Sequence, residues 1–195
     1  KAIQPKSFRP RTTDSRHGLG YSPHRLIDAR PPTDRNQIWV RDITYIPLKR
    51  RIFGYLSVLM DLFSRRIVSW ELSENMKESL TLAALRQAIR IRQPRPGMIH
   101  HTDRGGQYAG TEYRRVLDRA GAIQSMSRAN NCYDNAFMES CFGTIKTELE
   151  MAEYENGLVA RREVAAYVNY YNTARRHSSL DYMTPSEFEG ELAPN

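Results

Sequence analysis

Three strand-like runs follow one another with short connections in the first half of the chain. They cover residues 38–46, 52–60 and 65–72, and each is rich in β-branched and aromatic residues. Pro47 ends the first run, and Asp61 begins a DLFS segment in which an aspartate typically caps the backbone amides of a turn. Successive runs of this kind predict an antiparallel meander.

Helical periodicity begins after the third run. An apolar stripe closed by Pro94 predicts the first helix, and its members are Leu80, Ala83, Ala84, Ala88 and Ile91. Short strands then alternate with helices, as strands at 97–101 and 122–125 and helices at 111–120, 133–150 and 157–172. The order predicts an α/β fold with a five-stranded mixed sheet, in which three antiparallel strands precede alternating helices and strands, flanked by helices.

Residues 1–36 carry Pro, Arg, Asp and Thr without apolar periodicity, which predicts a basic extended arm or linker. We expect residues 37–152 to form the α/β core and residues 153–195 to form a C-terminal helix and basic tail that packs on or extends it. Residues 1–41 hold nine Lys or Arg and three Asp, a net charge of +6 within a chain of +7. This arm favours a nucleic-acid partner, with a basic leader of no binding role as the alternative.

No apolar run approaches the roughly 18 residues of a membrane span, and no signal peptide is visible, so we expect no membrane association. The two cysteines, Cys132 and Cys141, have neither a second pair for a zinc site nor a secretory context. We interpret both as reduced residues of a cytoplasmic protein.

Three acidic residues stand out by position. Asp42 lies inside a run that is apolar on both faces, where a carboxylate is costly to bury unless it is paired or binds a metal. Asp103 follows the fourth predicted strand and precedes two glycines, and ligands gather at strand ends in α/β sheets. Glu139 lies on the third predicted helix, and 35 residues separate it from Asp103. For each one alone, a surface or capping role is the commoner alternative.

The predicted helix that carries Glu139 has an apolar stripe for packing on the sheet, formed by Met138, Phe142, Ile145 and Leu149. Glu139 lies about 100° around from Met138, at the edge of that stripe. Asn135, Gly143 and Lys146 share its face. We therefore expect Glu139 to lean over the sheet toward Asp42 and Asp103.

Three clustered carboxylates repel one another unless a cation holds them together. All-oxygen ligands select Mg²⁺ or Mn²⁺ over zinc. Two such ions about 3.5–4 Å apart activate an attacking oxygen and stabilise a leaving oxygen in phosphoryl transfer. The sequence therefore predicts a divalent-metal site at the three acidic residues.

Five sequence blocks together carry a family resemblance. They lie at residues 37–46, 60–68, 101–108, 131–140 and 170–185, and they include the segments WVRDITYI, HTDRGGQY and NCYDNAFMES. In this order, and with a 35-residue gap between Asp103 and Glu139, the chain resembles the second reading-frame product of insertion-sequence-3 transposases. That group belongs to the retroviral-integrase-like DDE superfamily.

The resemblance implies a ribonuclease H-like catalytic domain with Asp42, Asp103 and Glu139 as the catalytic, metal-binding triad. Mg²⁺ is the implied cofactor, with Mn²⁺ as a substitute. The family nicks DNA with water, and the exposed 3′-OH attacks another phosphodiester. The implied partners are transposon terminal inverted repeats, target DNA and further copies of the chain in a dimer or higher multimer. The implied location is the bacterial cytoplasm, in association with the nucleoid.

The resemblance and the polar loop at residues 127–132 also indicate DNA contacts. Lys146 matches the basic residue that contacts the transposon end. The other candidates are Arg104, Arg128, Asn131, Tyr133, Asn135, Arg175 and His177. A simple connecting loop and a solvated tail are the alternatives. The adjacent His100 and His101 point to opposite faces of a strand, so a shared ion is excluded and His101 is expected to support Asp103.

The sequence departs from the family at a few positions. Arg41 stands where a small polar residue is usual, Ala129-Asn130 where Lys-Gly is common, and Asp181 where Gly is common. We expect Arg41 to alter DNA contacts. Full-length family members also carry helix-turn-helix segments, none of which is visible here, so we expect this chain to be the catalytic part.

Two other functions fit parts of this pattern. A ribonuclease H-type nuclease would use a fourth carboxylate on the first helix, which offers only Glu78 near its start. A catalytically silent DNA-binding remnant would be marked by loss of a triad carboxylate, and all three are present.

Overall fold

The computed structural model describes residues 17–128, 134, 136–149 and 153–191. Its strands are β1 (Ile38–Leu48), β2 (Ile52–Asp61), β3 (Ile67–Ser73), β4 (Ile99–Thr102) and β5 (Ile123–Met126). Its helices are α1 (Glu78–Arg92), α2 (Gly106–Ala109), α3 (Thr111–Arg119), α4 (Ala136–Glu148), α5 (Gly157–Thr173) and α6 (Pro185–Glu191). Short 3-10 turns lie at Lys49–Arg51 and Ser178–Leu180.

The strands form one five-stranded sheet in the order β3-β2-β1-β4-β5. The pairs β1–β2 and β2–β3 are antiparallel, whereas β4 runs parallel to β1 and β5 runs parallel to β4. The predicted mixed sheet, three antiparallel strands followed by alternating helices and strands, is therefore confirmed. The central strand β1 is the one where antiparallel pairing changes to parallel pairing.

Pro47 does not end the first strand, contrary to the prediction, because β1 continues to Leu48 and Pro47 pairs with Phe53 of β2. In a strand, the nitrogen and carbonyl of one residue point to the same side. The Pro47 carbonyl accepts a hydrogen bond from the Tyr154 amide, 3.1 Å away, so its nitrogen faces that side as well. Pairing with β2 thus does not need the missing N–H.

Both faces of the sheet are covered by helices. On one face, Val40 and Ile46 pack in a core with α4 and α5, to which Phe142 and Val164 contribute. On the other face, Trp39 packs in a core formed with α1 and α3. The alternation of β1 side chains between these two cores explains why the strand is apolar on both faces.

The predicted stripe of the first helix is partly wrong. Leu80, Ala84 and Ala88 are buried, but Ala83 and Ile91 are exposed. Two other residues of α1, Leu82 and Leu85, are buried instead. A wide apolar face with several alanines allows more than one helical stripe, so periodicity alone left the rotation of the helix open. On α5, the buried face is formed by Val164, Tyr167, Val168 and Tyr171.

The polar C-terminal tail contains a short helix, α6, that the sequence did not predict. Glu189 on α6 is only 4% exposed. It accepts hydrogen bonds from Arg92 at 2.6 and 2.8 Å and from the Ser64 hydroxyl at 2.7 Å. Asp61 caps the same turn, as predicted, by accepting from the amides of Phe63 and Ser64. This buried ion pair ties α6 to the β2–β3 turn and to the end of α1.

Part of the basic arm lies along the edge strand β5. The Ser22 hydroxyl donates to Gln124 at 2.8 Å, and the Arg25 amide donates to the Ser125 hydroxyl at 2.9 Å. The Met126 amide donates to the Pro23 carbonyl at 3.4 Å. These residues cover an edge that would otherwise present unpaired backbone groups.

Within the described ranges, no helix has both the length and the apolar character needed to cross a membrane.

Leu56 and Leu158 provide a matched test of this packing, because Leu56 is 0% exposed and Leu158 is 78% exposed. We expect Leu56→Ala to lower the free energy of unfolding by about 3 kcal/mol, since it leaves a cavity in the sheet core. Leu158→Ala should change it by less than about 0.5 kcal/mol. Urea denaturation of both variants measures the difference. Equal losses would contradict the assignment of the core.

Candidate active site

Asp42 and Asp103 are brought together by the parallel pairing of β1 and β4. Val40 of β1 pairs with His101 of β4. Asp42 lies two residues beyond Val40 on β1, and Asp103, the first residue after β4, lies two residues beyond His101. Neighbouring strands lie about 4.8 Å apart, so the pairing brings the two aspartates to the same region of the sheet.

Backbone amides orient both carboxylates. The Ile43 amide donates to Asp42 Oδ1 at 2.7 Å, and the Gly105 amide donates to Asp103 Oδ1 at 2.9 Å. The Gly105 carbonyl in turn accepts from the Tyr108 amide at 2.9 Å. A short hydrogen-bonded turn thus leads from Asp103 to the buried ring of Tyr108.

The pKa of Tyr108 is affected by both carboxylates. Burial raises the pKa of its phenol well above the ordinary value, and the negative charges of Asp103 and Asp42 raise it further, while the charge of Arg41 lowers it. The phenol is 0% exposed. A neutral phenol therefore lies within the electrostatic field of the two carboxylates, on the α3 side of the sheet.

Glu139 lies in the first turn of α4 and is exposed. Its neighbour Met138 is 0% exposed and packs in the sheet core, as predicted for the apolar stripe. A Cβ atom added at Gly143 would meet nothing within 4 Å, so that side of the helix is open. The Lys146 ammonium lies 4.6 Å from the ring centre of Tyr45, a residue of β1. The face that Glu139, Gly143 and Lys146 share is thus open near Gly143 and reaches β1 at Lys146.

The predicted metal donors lie on the sheet and on α4. Across residues 17–128, 134, 136–149 and 153–191, no three His, Cys, Asp or Glu side chains form a group that could hold a metal ion. Asp42 and Asp103 have the oxygen chemistry that Mg²⁺ prefers. Residues 129–133 and 135, which lead into α4, lie outside the described residues.

Beneath the aspartates is a buried polar cluster that the sequence did not predict, formed by Arg41, Ser57, His100, Tyr108 and Tyr113. Arg41 is 0% exposed. Its guanidinium donates to the Ser57 hydroxyl at 2.7 Å and to the Tyr113 hydroxyl at 2.9 Å. The expectation that Arg41 alters DNA contacts is therefore wrong, because the side chain does not reach the surface.

The two adjacent histidines point to opposite faces, as predicted. His100 Nε2 lies 2.7 Å from the Tyr113 hydroxyl, within the cluster around Arg41. His101 lies 2.8 Å from the Ser125 hydroxyl and 3.1 Å from the Asp134 carbonyl. His101 was expected to support Asp103, but its hydrogen bonds go to β5 and to the segment before α4. Burial lowers its pKa to about 4, so its ring is neutral at pH 7.

Asp134 connects three parts of the chain just before α4. Its carboxylate, only 6% exposed, lies 2.9 Å from the Arg128 guanidinium and 3.2 Å from His24 Nε2. His24 belongs to the basic arm, which lies along β5. The arm, the end of β5 and the start of α4 are therefore fastened at one carboxylate. The only sequence signal for Asp134 was its place inside the block at residues 131–140.

Two of the other predicted DNA-contact residues donate hydrogen bonds within the chain. Arg104 donates to the Ser127 carbonyl at 2.7 Å, and Arg175 donates to Glu148 at 2.7 Å. His177 is 8% exposed. Asn131, Tyr133 and Asn135 lie outside the described residues. Contact of any of these residues with DNA stays a prediction.

Comparison with known proteins gives the family. Two family models, both described as integrase core domains, match residues 32–132 and 120–185. The transposase for insertion sequence element IS904 of Lactococcus lactis is 45% identical over 178 residues, which cover 90% of this chain and 70% of that protein. Transposase InsF for insertion sequence IS3A of Escherichia coli is 37% identical over 180 residues, which cover 90% of this chain and 61% of that protein.

Solved structures agree on the fold. A chain of the simian T-cell lymphotropic virus intasome has a TM-score of 0.72 at 19% identity, covering 94% of this chain and 64% of that chain. The HTLV-2 integrase catalytic core domain, solved in complex with magnesium, has a TM-score of 0.64 at 18% identity, covering 82% of this chain and 99% of that chain. The fold is ribonuclease H-like. The chain belongs to the integrase core domain family, and its relatives place it among the insertion-sequence-3 transposases.

Asp134 makes the stability of this region depend on pH. Hydrogen bonds from Arg128 lower the pKa of its carboxyl to about 2, against an ordinary value of 3.8. A lowered folded-state pKa stabilises the fold above about pH 4, and this contribution is lost as the pH falls toward 2. We expect the melting temperature of the unmodified chain to fall more steeply between pH 4 and pH 2 than that of Asp134→Asn.

Differential scanning fluorimetry across this pH range checks the expectation. Asp118→Asn is the matched control, because Asp118 is exposed on α3, and it should follow the unmodified chain. Parallel curves for the unmodified chain and Asp134→Asn would show that this carboxylate does not stabilise the fold.

Proposed function

We propose that Asp42, Asp103 and Glu139 are the carboxylates with which this DDE transposase catalytic domain cuts DNA and joins strands. The observation that carries the proposal is the parallel pairing of Val40 with His101, since Asp42 and Asp103 each follow that pair by two residues. Paired carboxylates at such a strand edge repel each other and are stabilised by a shared cation. The alternatives of a ribonuclease H-type nuclease and of a silent remnant are not favoured by the relatives.

The proposed cofactor is Mg²⁺, with Mn²⁺ as a substitute, in a two-ion site. Three carboxylates and no sulfur or imidazole ligand suit a hard cation. When bound, two such ions supply charge stabilisation for the attacking and leaving oxygens of a phosphodiester. The amides of Ile43 and Gly105 hold one oxygen of each aspartate in place, which orients both carboxylates before metal arrives. Glu139, at the exposed start of α4, completes the set.

We propose that DNA crosses the Glu139 face of α4. Gly143 leaves that face open, so a strand can approach the helix backbone closely. Lys146, two turns after Glu139, lies where its ammonium can reach a phosphate beside the reacting strand. Arg128 and Arg104, on the side of Asp103 and Asp134, extend the basic surface toward the residues that precede α4.

The partners follow from the reaction. Cutting and joining a mobile element requires its two terminal repeats and a target duplex in one complex, so we propose a dimer or higher multimer on DNA. The virus protein with a similar fold was solved within an intasome. DNA as substrate places the proposed activity at the bacterial nucleoid in the cytoplasm.

Glu139→Gln tests the proposed triad because it keeps the size of the side chain and removes a metal-binding charge. We expect strand transfer of labelled terminal-repeat DNA by the full-length protein, in Mg²⁺ or Mn²⁺, to fall by more than about a hundredfold. DNA binding should persist in a gel-shift assay. The control is Glu153→Gln, an exposed glutamate between α4 and α5, which should retain activity. Equal strand transfer by the Glu139 variant and the unmodified protein would overturn the assignment.

Lys146→Ala tests the proposed DNA path. Loss of one phosphate contact should weaken DNA binding and reduce the slope of log affinity against log salt by about 1. Lys77→Ala, at an exposed lysine before α1, should leave both quantities unchanged. Fluorescence anisotropy with labelled duplex at several salt concentrations measures the slope. An unchanged slope in the Lys146 variant would exclude it as a phosphate contact.

A further inference from the structure

A permanent positive charge lies buried beside the two aspartates. Arg41 is 0% exposed. Val40, just before it, packs in one apolar core, and Ile43, just after Asp42, packs in the other. An arginine keeps its proton at any pH that a protein tolerates. Burial of such a charge is costly unless opposite charge lies nearby.

The groups that touch the Arg41 guanidinium are neutral. It donates to the hydroxyls of Ser57 and Tyr113, and it lies 5.7 Å from the ring centre of Tyr108 and 5.6 Å from that of Tyr113. Hydroxyls and aromatic faces satisfy the N–H groups but do not cancel a full charge. His100, on the far side of Tyr113, has its pKa lowered by burial and then by Arg41, so its ring is neutral and offers no charge that could balance the guanidinium.

Two acidic residues are linked to Arg41 by the fold. Asp42 follows Arg41 directly along β1, and Asp103 follows β4, two residues after the His101 that pairs with Val40. The Tyr108 ring lies against the guanidinium, and the Tyr108 amide donates to the carbonyl of Gly105, whose own amide donates to Asp103. Arg41 is therefore connected to Asp42 along the strand and to Asp103 through Tyr108 and the Gly105 turn.

We propose that Arg41 is a positioning residue that serves as a resident counter-ion for Asp42 and Asp103. The inference rests on the proposed metal role of these aspartates. In the metal-free chain, the buried cation offsets the mutual repulsion of the two carboxylates. The same charge repels an arriving divalent cation, so Arg41 weakens metal binding.

These two effects have opposite signs, which separates a counter-ion from a residue that only supports the fold. Removing the charge should make the metal-free chain less stable and, at the same time, make it bind metal more tightly. Loss of mere structural support would loosen the aspartates and weaken metal binding. The Arg41 charge lies on the opposite face of β1 from Asp42 and acts on the metal site through low-dielectric protein. We therefore expect its removal to raise the affinity for Mn²⁺ about tenfold.

The experiment measures Mn²⁺ binding by isothermal titration calorimetry and melting temperature in EDTA, on the intact chain. Arg41→Met removes the charge and keeps most of the length. Arg41→Gln removes the charge and keeps a donor for the Ser57 and Tyr113 hydroxyls, so it serves if the methionine variant does not fold. Arg41→Lys keeps the charge and is the matched control.

We expect the neutral variants to bind Mn²⁺ about tenfold more tightly, to melt at a lower temperature in EDTA and to gain more from added Mn²⁺ than the unmodified chain. Arg41→Lys should bind Mn²⁺ within about twofold of the unmodified chain. Unchanged or weaker Mn²⁺ binding by a folded neutral variant would overturn the proposal that Arg41 is a counter-ion. If both neutral variants misfold while Arg41→Lys folds and binds Mn²⁺ normally, Arg41 is a structural support and the counter-ion proposal is overturned.

Asp103→Asn separates this inference from the proposed function. If Asp103→Asn binds Mn²⁺ as well as the unmodified chain, the metal role of the aspartates fails, and the counter-ion fails with it. If Asp103→Asn loses Mn²⁺ binding while Arg41→Met and Arg41→Gln bind as the unmodified chain does, the metal site stands and the counter-ion alone is wrong.

Discussion

The parallel pairing of β4 with β1 is the constraint on which the site depends. It sets Asp42 and Asp103 at the same level of the sheet, although 60 residues of chain lie between them. β4 is only four residues long, so the chain leaves the sheet at Asp103 and turns at once into α2. β5 runs parallel to β4, and Asp134 and α4 come after it in the chain. A shift of one residue in this pairing would turn every side chain of β4 to the other face.

The two histidines of β4 connect this pairing to buried polar groups on both faces. His100 lies against Tyr113 and, through it, Arg41. His101 lies against β5 and the Asp134 carbonyl. Because buried polar groups need partners, each side of β4 accepts only one arrangement of its neighbours. Asp103 thus follows a strand that makes polar contacts on both of its faces.

Much of the fold could be predicted from the sequence, because strand composition and helical periodicity are local signals. Asp42 could be selected because a carboxylate inside an apolar strand needs a partner, and Asp103 because ligands gather where strands end. The failures have long-range causes. Pro47 continues a strand because its nitrogen faces Tyr154, and Arg41 is buried because Tyr113, 72 residues away, accepts its hydrogen bond. The domain bounds and the DNA contacts remain predictions.

Glu139 is the member of the proposed triad for which the structure says least, since it is exposed and lies just after residues outside the described ranges. The most direct test of the central claim is therefore a crystal structure of the chain soaked with Mn²⁺, with the ions located by their anomalous scattering. The account predicts anomalous peaks between Asp42 and Asp103, with a Glu139 oxygen within coordination distance, about 2.0–2.3 Å. Manganese bound away from the aspartates, or at the aspartates with Glu139 turned to solvent, would contradict it.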